Sequence, residues 1–162
     1  MQEVKQFTPT KLTLLTILLC SMLMLMGGAA VAPALPLIEQ VFPGQDTLVS
    51  MIITIPSLAV AVVGFAMGAL ADRLGKVRVL ATSLVVFTAA GAVGYLMEGG
   101  SDTQLYILLA FRFVVGIGIA GISSAVTALI AEYYTGMDRV RALSYQSAAM
   151  GVGVLILEYT GG

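Results

Sequence analysis

Two charged residues lie where charge is costly. Arg112 falls inside the run Thr103–Ala131, which holds no other charged residue before its end, and Glu158 falls inside the run Ala142–Gly162. A cation at the centre of a membrane helix costs roughly 2.5–3.5 kcal/mol on insertion scales, so such residues face the protein interior and carry a partner. Arg112 stands nine residues into its run, about 13 Å along a helix. Gly116, Ala120, Ser123 and Thr127 continue its stripe at helical spacing, small and polar, a face for protein or water rather than lipid. Glu158 lies sixteen residues after Ala142, about 24 Å along its own helix. With the two helices running in opposite directions, that places it in the same half of the membrane as Arg112. Glu158 would then be the counter-charge of Arg112, and a carboxylate held there can take up and release a proton. Two plainer readings stand beside this one: an arginine that snorkels or pins two helices, and a glutamate at the membrane interface where its run ends.

A second group of charges sits in the stretch Gly64–Leu80, GFAMGALADRLGKVRVL. Gly64, Gly68 and Asp72 are four residues apart and share one helix face. Glycines at that spacing let another backbone approach closely, a common device for packing spans in lipid. Asp72 stands at the negative end of the helix dipole, where a carboxylate needs a cation, and Arg73, Lys76 and Arg78 follow within seven positions. Gly75 supplies a helix stop. The stretch reads as a close-packed span, a tight basic hairpin and the start of another span.

The elements that position these residues follow from composition. Of 162 residues, 59% are hydrophobic and only 10% charged, against about a quarter charged in soluble domains. The chain is an integral membrane protein by this measure, with the lipid bilayer as its first partner. A net charge of −1 gives no reason to expect a nucleic-acid partner. There is no histidine and a single cysteine, Cys20, in an apolar run. This argues against Cys/His metal sites, disulfides and histidine acid–base chemistry, and no cofactor is implied. No nucleophile–base set is visible, so an enzyme is not expected.

Uncharged or nearly uncharged runs predict five membrane helices at about 12–38, 47–71, 79–97, 103–131 and 142–162, within a single membrane domain covering 1–162. The fold class is all-α, a polytopic transmembrane helix bundle, because lipid leaves no backbone polar group unsatisfied. A cleaved signal peptide competes for the first run, but proline directly follows the AAVA site and the apolar run continues past it. Pro33 and Pro36 suggest that this first helix is bent or interrupted. Lys5, Lys11, Arg73, Lys76, Arg78, Arg139 and Arg141 fall on one side, whereas Glu39, Asp46, Glu98 and Asp102 fall on the other. An excess of Lys and Arg marks the cytoplasmic side, which places the amino terminus inside.

The hairpin resembles the signature loop of the major facilitator superfamily, G-x-L-A-D-R-x-G-R/K-x-x-x-L, through Gly68, Leu70, Ala71, Asp72, Arg73, Gly75, Lys76 and Leu80, with Arg78 as a further basic residue. Leu108–Gly121, LLAFRFVVGIGIAG, is similar to the fourth-span motif of that family, in which the arginine is linked to proton transfer or substrate coupling. Ala131–Ala142 resembles the loop after span four, and the resemblance implies a cytoplasmic gate formed by Asp72, Arg73, Glu132 and Arg139. The alternative is a static set of surface charges that fixes orientation. The close of the first run, GGAAVAPALPLIEQVF, is weakly similar to the drug and sugar efflux branch, without the acid common there. The fifth run keeps Gly153, Gly161 and Gly162 of an antiporter motif but carries Leu157 and Glu158 where that motif has Gly-Pro. Gly116, Gly118, Gly121 and Gly153 join Gly64 as expected helix-packing positions.

The resemblance implies a secondary transporter working by alternating access on a small solute, with protons as the candidate coupling ion, efflux as the candidate direction and the cell membrane as its place. It covers the first five spans of a family that generally has twelve. The expectation is therefore an amino-terminal portion of a transporter, a fragment or truncated product, that needs its carboxy-terminal half or a partner chain to work. The alternatives are a non-transporting scaffold that acts through helix association and a complete small transporter acting as a homo-oligomer. The sequence does not specify the substrate.

Overall fold

The computed structural model describes residues 10–29, 31–93 and 102–161. The end of the third expected span at 97, the loop residue Glu98, Lys5 and Gly162 lie outside the described residues. Within them the regular structure is all helix: α1 (Lys11–Ala29), α2 (Leu35–Val41), α3 (Asp46–Leu74), α4 (Lys76–Val93), α5 (Asp102–Tyr133) and α6 (Gly136–Gly161). Helices α3 to α6 are long and apolar enough to cross a membrane. α1 is apolar as well, and its 19 residues rise about 28 Å, close to the ~30 Å of a hydrocarbon core.

Helix boundaries and apolar runs do not coincide. The first run continues to Ile38, yet α1 stops at Ala29, and a turn carrying Pro33 leads to α2, which has Pro36 in its first turn. Proline cannot donate the backbone hydrogen bond an inner helical turn needs, so the helix breaks before the hydropathy falls. In the opposite sense, α5 continues through Glu132 and α6 begins at Gly136, so the polar loop expected at 132–141 is mostly helix. Pro56 is retained inside α3, where it is buried.

α5 is the spine of the bundle. It packs chiefly on α3 and α4, and α1 packs chiefly on α6. One apolar cluster fills the end where α3 meets α4 and α5 meets α6, with Ala71, Leu80, Ile122, Val126, Ile130 and Ala142 buried together. A smaller cluster of Val31, Phe42, Val49, Ile52, Leu105 and Leu109 closes the opposite end beside α2. Large apolar side chains remain on the outside, among them Phe65 at 91% and Val62 at 66% exposure. Such exposure is unfavourable in water and unremarkable in lipid.

Candidate functional site

At the α3–α4 end the charges are set by one glycine. Gly75 has φ +96, a left-handed conformation that suits a residue without Cβ, and its N–H donates to the Ala71 carbonyl at 3.2 Å. α4 restarts at the next residue, so Lys76 emerges at the very start of that helix. Its Nζ meets Oε2 of Glu132, from the last turn of α5, at 2.6 Å. A cavity of about 490 Å³ opens beside this pair, and Asp72, Gly75, Lys76, Arg78, Glu132 and Tyr133 help to line it. Asp72 and Arg73 are exposed in the last turn of α3, and Arg139 is exposed on α6. Among the described residues, no ion pair joins Asp72 to Arg139 or Arg141; Arg141 instead contacts Asp138 at 3.4 Å. Of the four residues expected at a gate, Glu132 is the one drawn into a contact across helices, and its partner is Lys76.

Arg112 is half-buried on α5, and its Nη1 donates to the Gly27 carbonyl of α1 at 3.4 Å. Among the described residues the arginine is therefore held against backbone, with no acid paired to it. The expected pairing with Glu158 is absent among the described residues. α6 turns Ala142, Gln146 and Gly153 inward. Glu158 is five residues beyond Gly153, about 140° around the helix, and it is exposed. Sequence reasoning did not single out Gly27, because a backbone carbonyl leaves no residue-type signal beyond the glycines around it.

The glycines divide into two sets. On α5, a Cβ at Gly116 would lie 2.5 Å from the Pro56 carbonyl oxygen and 2.6 Å from the Ala59 Cβ of α3. One at Gly118 would lie 2.9 Å from the Phe87 Cβ of α4, and one at Gly121 would strike the Ser83 hydroxyl. Gly153 of α6 faces Met22 of α1, with the added Cβ at 3.2 Å. On α3, by contrast, Cβ atoms at Gly64 and Gly68 would meet nothing within 4 Å. The Gly64 carbonyl does accept a bond from the Ser124 hydroxyl at 3.3 Å.

The sequence profile described as Major Facilitator Superfamily matches residues 17–162. The chain belongs to the major facilitator superfamily. Among curated relatives, the bacillibactin exporter of Bacillus subtilis is 29% identical over 117 residues, covering 72% of this chain and 29% of that protein. The niacin transporter NiaP of Acinetobacter baylyi is 33% identical over 104 residues, covering 61% of this chain and 23% of that protein. The quinolone resistance protein NorB of Staphylococcus aureus is 28% identical over 127 residues, covering 78% of this chain and 26% of that protein. The superfamily chain described here thus spans about a quarter of the length of the curated relatives it matches. No solved structure matches it significantly. Its family and its membrane-length apolar helices make it a membrane protein of a transporter superfamily.

Proposed function

We propose that this chain forms part of a secondary transporter that carries a small solute across the cell membrane by alternating access, with its amino terminus in the cytosol. Efflux coupled to protons is the favoured form. The observation that carries the reading is the junction of α3, α4 and α5, where the basic hairpin is latched to the end of α5 by Lys76 and Glu132 at 2.6 Å. Lys76 is 25% and Glu132 53% exposed. A pair so open to solvent is worth ~0.2–1 kcal/mol, so it can break and remake at thermal energies. The close glycine packing of α5 on α3 and α4 favours motion of these helices as one body. A weak latch on a rigid unit suits alternation between two states.

The three relatives are named for an exporter, a niacin transporter and a quinolone resistance protein. Those names point to small organic solutes of dissimilar shape, and they single out no one substrate for this chain. Arg112, set between α5 and the α1 backbone, is the candidate coupling residue, with Glu158 as a candidate proton carrier in a state other than this one.

The test is flux through the protein reconstituted in liposomes, in its complete reading frame, with an imposed pH gradient and a niacin, quinolone or bacillibactin load. Gradient-driven flux of at least one of these solutes is expected, lowered by about tenfold or more in Arg112→Ala with helix content retained. Absence of flux with every solute in both gradient directions would overturn the transport reading. Equal flux in wild type and Arg112→Ala would remove Arg112 from it.

A further inference from the structure

A second cavity, of about 340 Å³, opens at the same end of the bundle where α1, α5 and α6 converge. Its lining is unusual for so apolar a chain. It combines Tyr133, Tyr134 and Tyr145 with Asp138 and Arg141, and Leu14 of α1 closes one side. Half of the six tyrosines of the chain thus gather around one opening. Tyr133 and Tyr134 are half-buried, Tyr145 is 55% exposed, and burial pushes the Tyr134 phenol above its ordinary pKa, so it stays a neutral hydroxyl. Gly136, at φ +56, turns the chain between α5 and α6 and thereby brings Tyr133 and Tyr134 onto the same side as Tyr145, three turns further on.

We propose that this cavity seats the headgroup of a zwitterionic phospholipid, with its ammonium against the phenol rings beside Asp138 and its phosphate on the Arg141 guanidinium. Aromatic faces attract an organic cation, and a guanidinium fork fits a phosphate. The charge count selects the headgroup. The cavity offers one carboxylate and one guanidinium that pair with each other at 3.4 Å while staying 73% and 69% exposed. Each therefore keeps an open side, and together they match a ligand with one cation and one anion a few ångströms apart. An anionic headgroup would leave Asp138 facing like charge, and a simple amine would leave Arg141 facing like charge. The volume lies within the ~300–1,000 Å³ usual for small-molecule sites. The position at the helix ends is where tyrosines meet lipid headgroups. This inference needs only that the chain sits in a membrane and is independent of solute transport.

The chain contains no tryptophan, so tyrosine emission can be read directly. Detergent-solubilised protein titrated with dihexanoyl phosphatidylethanolamine is expected to show a saturable change in that emission, at least about fivefold tighter than with dihexanoyl phosphatidylglycerol. Tyr145→Ala is expected to weaken binding by a similar factor, whereas Tyr145→Phe, which keeps the ring, preserves it. Asp138→Asn leaves Arg141 unbalanced and is expected to reverse the preference toward the glycerol headgroup. Both Tyr145 and Asp138 are exposed, so these substitutions leave folding intact. Equal affinity for the two lipids, or binding unchanged in both Tyr145→Ala and Asp138→Asn, would overturn the proposal. Glycerophosphoethanolamine binding as tightly as the lipid would also overturn it, by assigning the site to a free solute.

Discussion

Two pairs of small residues at the same spacing have opposite fates in this molecule. Gly64 and Gly68 on α3 are four residues apart, as are the small residues Gly116 and Ala120 on α5. On α5 the missing side chain is used at once, since the α3 backbone at Pro56 lies where a Cβ would go. On α3 the equivalent space is open. The difference teaches that small-residue spacing reports a capacity for close approach, whereas the partner is chosen by what else lies on the face. Gly116 faces the buried Pro56 and Ala59, and a proline in mid-helix presents a local surface without an N–H, against which a second backbone can lie. Gly64 and Gly68 stand on the same helix as the heavily exposed Val62 and Phe65, on a segment that the rest of the bundle leaves largely bare.

The largest expected effect breaks the filled pair. Gly116→Leu would drive a side chain into the Pro56 carbonyl and the Ala59 methyl, neither of which can rotate away. Overpacking costs ~1–3 kcal/mol where neighbours can shift, and a fixed backbone places this substitution at or beyond the upper bound. Thermal unfolding followed by circular dichroism in detergent should show a midpoint many degrees below wild type. A midpoint within a degree of wild type would mean that α5 does not touch α3 there.

The same contrast explains what could be read from sequence. The signature loop was legible because Asp72, Arg73, Lys76 and Arg78 are among very few charges in the chain, and charge at a helix junction has a local cause. The helical bundle was legible because lipid permits so few alternatives. Span ends were less so: hydropathy marks where lipid is tolerated, while Pro33, Gly75 and Gly136 mark where helices actually turn. Partners were hardest. Lys76 and Glu132 are 56 residues apart, and the contact depends on the rotation of two helices, which no local pattern encodes. Arg112 finds a carbonyl, the one acceptor every residue carries. The clustering of Tyr133, Tyr134 and Tyr145 had a visible signal in their spacing around Gly136, but only the folded turn shows that they share a cavity with Asp138 and Arg141.

A smaller effect of opposite sign sharpens the comparison from the open side. Gly68→Ala adds a Cβ that meets nothing within 4 Å. Alanine is favoured over glycine in a helix interior by ~0.8–1 kcal/mol, so the substitution should leave this bundle unchanged or raise its unfolding midpoint slightly. If another helix covers the α3 face in a longer chain or an assembly, the same substitution should lower stability there. Comparing the shift in the two contexts, by one unfolding assay, tells whether the open glycines are idle. A loss of stability in the present chain alone would show that the α3 face is already packed.

The smallest effect on stability concerns the latch between α4 and the glycine-bearing α5. Glu132→Gln keeps the shape of the side chain and removes the charge that faces Lys76 at 2.6 Å. Because the pair is partly solvated, the expected loss is at most ~1 kcal/mol and shrinks as salt is raised. A static charge pair would end its influence there, with flux in the complete protein unaltered. A gate would behave differently, since a change of under 1 kcal/mol in the balance of two states still shifts their populations severalfold. Under the transport reading, solute flux should therefore change by a factor of a few while the unfolding midpoint scarcely moves, and Lys76→Gln should reproduce the effect. Parallel small changes in both quantities would instead leave Lys76 and Glu132 as ordinary surface partners, and the weak latch would drop out of the mechanism.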